Sequence, residues 1–473
     1  MNEKEKELEN LIALYNDKKA TDSPTEYHET VPCPPIPAEF ESPMAYLRHL
    51  AHEGLLQRFG SSPSAAATER MNRELDLIEK KGWQDYFLFI WDLIKTAQDT
   101  IPSFLSVSCQ GYASYSFVNY LLQITLVNPL DFHLPEVSFM RNTLNVFPNI
   151  PLLINETCYP DFLNMMKQKY GRQVANTYPM SFFQKKQSYL IHNTYVWAIA
   201  DRELDQLMPM IEIYDNQKQE YVLCPIYDDM HISEHGAKKQ HICDFRFTDT
   251  ITKVLAELNI FYADKQKFLN EIPLNDIETL HSFLSIDNKD KKEILGSLSS
   301  SWNKLLSEFP IDSFQDFCVF RALECCIHGE TRAQEYICRK KEGIIPTYII
   351  PEMASVLDET YGVLVYDVQV AQLAEVISSM DIYEANAMQR AIHQKKTQRV
   401  HEYFYPKFLE GGIRNGYTQQ QLDELFQMLY STHTWVKAHS LNHALLKYWA
   451  AYLRVHYPEA WQKAHQKEEQ PTK

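Results

Sequence analysis

Residues Tyr361–Lys396 read YGVLVYDVQVAQLAEVISSMDIYEANAMQRAIHQKK, and this stretch fixes how the chain is organised. Its apolar residues return at spacings of three and four in two blocks, which predicts two helices with a short break between them. The blocks are Tyr366, Val370, Leu373 and Ile377, then Ala385, Met388 and Ile392. In the second helix Arg390 and Gln394 fall on the opposite face, and Lys395 and Lys396 end the stretch.

The charge of the whole chain differs from the charge of this region. The 473 residues are 45% hydrophobic, enough for a core spread over two to four domains, and carry a formal net charge of −16. Between Arg390 and Arg414, six Lys or Arg face only Glu402 and Glu410, whereas Asp201–Glu234 holds nine Asp or Glu. A phosphate backbone is therefore expected to meet the C-terminal third, although each such cluster is also typical of a solvated helix face.

Cysteine usage and the termini predict a cytoplasmic protein. The nine cysteines form no C-x-x-C pair, and Cys325, Cys326 and His328 lack a second pair of zinc ligands at suitable spacing. Ordinary buried thiols are expected. The start MNEKEKELEN is unlike a signal peptide, and no apolar run approaches the ~20 residues of a membrane span, so no membrane partner is expected.

Working outward, several segments predict local structure. Residues 82–98 (GWQDYFLFIWDLIKTAQ) are apolar nearly all round, which predicts a helix buried against a sheet. PNIPLLI (148–154) alternates as a strand does, and residues 211–230 alternate enough for a hairpin.

Motifs spread along the chain resemble those of the C-family of bacterial replicative polymerases, the DNA polymerase III alpha subunits. The family runs Y-G-x-x-x-Y-Q-E-Q-V and R-R-A-M-G-K-K-K appear at Tyr361, Gly362, Tyr366, Gln369, Val370, Arg390, Ala391, Lys395 and Lys396. N-terminal motifs appear at Tyr46, Leu47, Gly54, Leu55, Arg58, Gly60, Arg70 (or Arg73), Glu74, Leu75, Ile78, Gly82, Tyr86, Trp91 and Asp92. C-terminal motifs appear at Glu410, Gly411, Asn415, Gly416, Lys437, His439, Ser440, Ala444, Tyr448, His456, Tyr457 and Pro458.

The resemblance implies an α+β, mostly helical fold: a polymerase-β-like nucleotidyltransferase palm, a small thumb and large helical fingers. The implied division is an N-terminal helix and Pro-rich linker (1–40), palm (41–159 and 236–262), thumb-like region (160–235), fingers (263–458) and polar tail (459–473).

The family's phosphate-binding loop, P-G-R-G-S-x-x-G-S, is altered here. Ser108, Cys109, Gln110, Gly111 and Tyr112 replace P-G-R-G-S, and Tyr115–Ser116 replaces the later Gly-Ser. Glycines let backbone N–H groups approach a triphosphate, and the arginine neutralises it. We therefore expect packed structure in place of a phosphate cradle.

The family's metal-binding strand, P-D-x-D-x-D-F, is altered as well. A gapless register puts Pro151 and Leu153 on aspartate positions, whereas a gapped one puts Ile154 and Glu156 on the two ligand positions; the alternation of apolar residues favours the gapless register. In the family's V-K-x-D-F-L-G-L-(R/K)-T-L-T, the third aspartate remains as Asp244. Nucleotidyl transfer needs two magnesium ions about 4 Å apart, which one aspartate cannot hold.

The resemblance implies nucleotide-binding and DNA-binding residues. Those for nucleotide are Ser116, Arg390, Lys395 and Lys396; those for DNA are Lys185, Lys186, Arg321, Lys437 and His439. We expect a degenerate polymerase without cofactor that binds DNA or a replication or repair protein. One alternative is an active enzyme with Mg²⁺ on Asp244 and Glu156 or Asp161; the other is a protein-interaction scaffold without DNA binding.

Overall fold

The computed structural model of the protein describes residues 28–107, 111–140, 146–177, 194–215, 220–225, 232–244 and 246–466. Helices dominate these residues and two small sheets accompany them, which confirms the α+β, mostly helical fold. No helix among the described residues is long and apolar enough to cross a membrane. The chain folds into two compact units: Met1–Gln110, Val118–Thr125 and Asn142–Asp249 form the first; Gly111–Phe117, Leu126–Arg141 and Thr250–Lys473 form the second.

The α-helices run in chain order as follows: α1 Pro43–Phe59, α2 Ala65–Lys81, α3 Gln84–Thr100, α4 Phe117–Leu121, α5 Tyr159–Tyr170, α6 Arg246–Glu257, α7 Asp264–Asn270, α8 Ile277–Ser285, α9 Asn288–Leu295, α10 Ser300–Glu308, α11 Phe314–Glu324, α12 Gly329–Glu342, α13 Ala354–Leu357, α14 Asp367–Ser378, α15 Ile382–His393, α16 Thr397–Arg399, α17 Tyr405–Arg414, α18 Gln419–Ser431, α19 Lys437–His456 and α20 Pro458–Gln466. A π-helical turn, Val400–Phe404, joins α16 to α17.

The strands are β1 Ser106–Val107, β2 Leu152–Ile154, β3 Val174–Thr177, β4 Thr194–Ile199, β5 Met210–Asp215, β6 Glu220–Pro225 and β7 Lys238–Asp244. Five of them form a sheet in the order β1-β2-β7-β4-β3, in which β2 and β7 are parallel and the other pairs antiparallel. The predicted hairpin is confirmed as the antiparallel pair β5–β6. The predicted strand 148–154 is shorter than expected and begins only after Pro151, which has no N–H to give to a ladder.

Helix α3 is buried as its sequence predicts. Five consecutive residues, Tyr86 to Ile90, have no exposed surface. The Tyr86 hydroxyl donates to Gln240 of β7 at 3.0 Å and accepts from the N–H of Ile150 at 3.2 Å. Gln240 in turn donates to the carbonyl of Ile150 at 2.7 Å. One buried polar network therefore fixes the helix on the sheet, with each member supplied with a partner.

A second buried polar contact ties α2 to α4. The Arg70 guanidinium donates to the Glu74 carboxylate at 2.6 Å one helical turn away, and both side chains are buried. The other Glu74 oxygen accepts from the backbone N–H of Val118 at 3.1 Å. Close backbone packing adds to this: a Cβ on Gly54 of α1 would lie 2.2 Å from the Leu121 carbonyl oxygen, so only glycine fits there.

In the second unit, α14 and α15 confirm the two helices predicted from residues 361–396. Their apolar faces join one core with α13, α17 and α18, where Val370, Leu373, Ile377 and Met388 are all buried. Gly411 of α17 meets α14 closely, because a Cβ on it would lie 2.0 Å from the Ser378 carbonyl oxygen.

Replacing Glu74 tests the weight of the buried pair. Glu74→Ala removes the carboxylate that accepts from the buried Arg70 guanidinium and from the N–H of Val118, so we expect the free energy of unfolding to fall by about 3–5 kcal/mol in urea denaturation. The control is Asp76→Ala on the same helix. Asp76 pairs with Arg48 at 2.7 Å, but its side chain is 69% exposed. Its loss should cost at most about 1 kcal/mol. Equal losses in the two variants would contradict this account.

Candidate active site and nucleic-acid interface

The ends of β2 and β7 are where the expected metal site would lie. The register pairs Leu152 with Ile242, Leu153 with Cys243 and Ile154 with Asp244. Neighbouring residues of a strand face opposite sides of a sheet, so Ile154 shares its side with the Asp244 position and Leu153 does not. Asp244 is thus paired with the residue to which the gapped alignment gave a ligand position. In either register, β2 supplies no carboxylate.

The turn that follows β2 is held by Asp249 of α6, a residue that sequence reasoning missed. Its buried carboxylate accepts from the N–H of Glu156 at 2.8 Å, from the N–H of Thr157 at 3.1 Å and from the Thr157 hydroxyl at 2.5 Å. The Asn155 amide donates to it as well, at 3.5 Å. Both carboxylate oxygens of Asp249 are therefore used as acceptors for the turn.

These observations test whether the described residues fit a two-magnesium site. Among them, no group of three or more His, Cys, Asp or Glu is placed to hold a metal ion. Glu156 and Asp161, the substitute ligands of the active-enzyme alternative, have exposed side chains. The described residues do not fit the octahedral oxygen cages that two magnesium ions require. The Asp244 side chain lies outside the described structure, so its role as a ligand stays a prediction.

The segment that replaces the phosphate loop is bonded to the buried carboxylate of Asp367, at the start of α14. The Tyr112 hydroxyl donates to Asp367 Oδ2 at 3.0 Å, and the Tyr115 hydroxyl to Oδ1 at 3.4 Å. The backbone N–H groups of Val368 and Lys437 donate to Oδ1 at 2.9 and 3.1 Å. Asp367 thus joins three segments that are distant in sequence.

Burial dominates the electrostatics of this cluster. It raises the pKa of Asp367, against the lowering effect of the hydrogen bonds from Lys437 and Tyr112. Burial, and then the Asp367 carboxylate, raise the pKa of Tyr112, while Gln389 and Arg390 act to lower it. Arg390, predicted to bind nucleotide, is therefore close to the Tyr112 hydroxyl, and it is half-buried. Tyr112 therefore lies beside Arg390, the cation that the family resemblance predicts to bind the phosphates of a nucleotide.

Ser116 and its neighbours are packed inside the second unit. Ser116 has no exposed surface, and Ser114 accepts a hydrogen bond from the Asn442 amide at 2.8 Å. The Tyr112 and Tyr115 rings lie 5.4 Å apart. This part of the loop forms protein core.

Two of the predicted DNA-binding cations pair with carboxylates of their own chain. The Lys437 ammonium donates to both oxygens of Glu359 at 3.1 Å and lies 5.3 Å from the Tyr366 ring. Arg321 pairs with Glu324 one turn along α11. His439 is half-buried and stacks on His443, with ring centroids 4.3 Å apart.

The cations that follow α15 are arranged differently. Lys395, Lys396 and Arg399 are exposed. Among the described residues, no Asp or Glu lies within salt-bridge distance of any of the three, although Arg399 lies 5.5 Å from the Phe404 ring. Lys395 has a left-handed backbone, φ 53°, at the point where α15 ends. Lys185 and Lys186 lie outside the described residues, as do Ser108, Cys109 and Gln110.

Two stretches of the chain match models of known protein families. Residues 45–239 match the model of the bacterial DNA polymerase III alpha NTPase domain, and residues 248–416 match that of the bacterial DNA polymerase III alpha subunit finger domain. The two matches do not overlap and together cover about three quarters of the chain. The chain belongs to the bacterial DNA polymerase III alpha family.

Curated relatives are similar over most of this chain. The DNA polymerase III subunit alpha of Halalkalibacterium halodurans is 24% identical across 95% of the chain, and that of Borreliella burgdorferi is 26% identical across 94%. The corresponding subunit of Aquifex aeolicus is 24% identical across 87%. The chain spans 45%, 44% and 43% of these three relatives, respectively.

The charge of Asp249 is opposite to the charge that the family pattern has at this position. In the alpha-family pattern V-K-x-D-F-L-G-L-(R/K)-T-L-T, aligned on Asp244, the residue at position 249 is Arg or Lys. This chain has the opposite charge there, and that charge anchors the turn after β2. The reversed charge at position 249 is visible in the sequence and marks Asp249 as unusual for the family. Its hydrogen-bond partners are more than 90 positions away, so the sequence does not identify them.

Removing the Tyr112 hydroxyl tests whether the altered loop is structural. Tyr112→Phe takes one donor from a buried carboxylate, so we expect a loss of about 1.5–3 kcal/mol in the free energy of unfolding. Tyr403→Phe is the matched control, because Tyr403 donates to Glu384 at 3.3 Å on the exposed surface. That bond should contribute well under about 1 kcal/mol. An unchanged stability of Tyr112→Phe would show that the loop does not depend on Asp367.

Proposed function

We propose that this chain is a degenerate member of the DNA polymerase III alpha family that binds DNA through the cations after α15 and does not polymerise it. The observation that carries the proposal is a contrast between two sites. Lys395, Lys396 and Arg399 are exposed and have no carboxylate partner among the described residues, whereas β2 offers only Leu and Ile at its end. The chain keeps groups that bind phosphate and has lost groups that bind metal.

Electrostatics supports DNA as the partner in spite of the overall charge. Exposed cations near a phosphate backbone release condensed counterions, which drives binding at low salt whatever the net charge of the distant surface. A replication or repair protein remains a further partner in this proposal, and the cytoplasm is the proposed compartment. No metal is needed for the binding function.

The loss of polymerase chemistry is supported by the altered loop. A triphosphate needs backbone N–H groups and a cation close by. Here Tyr112 lies near Arg390 and donates to Asp367, and Ser116 is buried. The triphosphate of a nucleotide would therefore face packed side chains, and no open loop of N–H groups would stabilise its charge in the ground state or in the transition state.

Fluorescence anisotropy with a labelled primer–template tests the binding. Between about 50 and 200 mM salt we expect affinity to fall linearly in logarithmic coordinates. Lys395→Ala with Lys396→Ala should weaken binding and reduce the salt slope by about 2, since each lost phosphate contact lowers it by about 1. The control is Lys291→Ala with Lys292→Ala on α9, also an adjacent lysine pair, which should change neither value.

Binding that ignores salt would contradict the proposed contact with phosphate. No binding at low salt, together with recovery of a stoichiometric protein partner, would favour the interaction scaffold instead.

A further inference from the structure

Five aromatic rings form a continuous row in the second unit. They belong to His393 at the end of α15, His433 and Trp435 before α19, and His439 and His443 on α19. Successive ring centroids lie 6.5, 6.2, 5.5 and 4.3 Å apart. His393 is exposed, and the other four residues are half-buried. The row reaches solvent along its length, unlike the buried rings of the core.

Backbone contacts hold the row, so its rings are not required for its position. The N–H of Trp435 donates to the Val365 carbonyl at 3.0 Å, and its carbonyl accepts from the N–H of Asp367 at 2.9 Å. The Arg332 guanidinium donates to the carbonyls of His433 and Leu364, both at 2.8 Å. His439 and His443 lie four residues apart and therefore on one face of α19.

The charges around the His433 end of the row are mostly positive. Burial lowers the pKa of His433, and His393, Arg332 and Lys395 lower it further. Asp367 on α14 interacts electrostatically with His393, and it already accepts hydrogen bonds from Tyr112 and Lys437. Lys396 and Arg399 continue the positive charge beyond Lys395 on exposed chain. Aromatic rings and exposed cations thus lie side by side.

We propose that the row from His393 to His443 is a platform on which the bases of single-stranded DNA stack, while Lys395 and Lys396 contact its phosphates. Bases stack on aromatic rings whatever their sequence, and a positive surface beside the rings follows the backbone. Duplex DNA keeps its base faces stacked on each other and offers the row only phosphates. The inference rests on the proposed DNA binding and adds that the bound DNA is single-stranded.

Two oligonucleotides separate stacking from charge. One is labelled oligothymidylate of about 12 nucleotides, within the usual range of such sites. The other is an abasic strand of equal length, which carries the phosphates but no bases. Stacking contributes about 1–3 kcal/mol per base, so even one stacked base should make the full chain bind oligothymidylate about 5- to 150-fold more tightly than the abasic strand in anisotropy titrations.

The variants then divide the two contributions. Trp435→Leu, which keeps an apolar side chain, should weaken oligothymidylate binding at least about fivefold and leave the abasic strand unaffected. His393→Ala removes the exposed ring with little risk to folding and should act in the same direction. Lys395→Ala with Lys396→Ala should weaken both strands. His52→Ala on α1 is an exposed histidine control and should change neither.

Equal affinity for the two strands, or oligothymidylate binding that both ring variants leave intact, would overturn the platform while DNA binding stands. Failure of the full chain to bind either strand or duplex would overturn the proposed function, and the platform with it.

Discussion

The second unit depends on the hydrogen bonds that the buried carboxylate of Asp367 accepts. This carboxylate accepts from the hydroxyls of Tyr112 and Tyr115 and from the backbone N–H at the start of α19, so three distant segments meet at one charge. A buried carboxylate is stable only when donors surround it, because desolvation otherwise forces it to take up a proton. Tyr112, at the serine position that ends P-G-R-G-S, and Tyr115, at the later glycine position, supply two of these donors. The altered loop has thereby become part of the internal structure of the unit.

Asp249 plays the corresponding part in the first unit. Nucleotidyl transfer needs carboxylates aimed at a common point in solvent, where they hold cations. Asp249 instead accepts hydrogen bonds from Glu156 and Thr157 and caps the turn after β2. The cations Lys437 and Arg321 likewise make contacts inside the fold, since each is paired with a glutamate of its own chain. The charges of Asp249, Lys437 and Arg321 are therefore all used for contacts within the fold.

The sequence predicts those features that depend on local periodicity. The helices α14 and α15, the buried helix α3 and the β5–β6 hairpin follow from the spacing of apolar residues, and the structure confirms them. Side-chain partners far apart in sequence leave no periodic signal. The Tyr112–Asp367 bond joins residues 255 positions apart, and the Asp249–Glu156 bond joins residues 93 apart. The ionic partner of Lys437 and the row of rings from His393 to His443 likewise depend on the three-dimensional structure. The predicted metal, nucleotide and DNA contacts stay predictions.

Primer extension distinguishes a preserved alpha-family fold without polymerase chemistry from a working polymerase. The full chain would be given a primer–template and deoxynucleoside triphosphates with Mg²⁺ and, separately, with Mn²⁺, beside an Asp244→Ala variant. We expect no extension by the natural chain above that of the variant in either metal. Extension above the variant would contradict this expectation, because Asp244 would then belong to a working metal site.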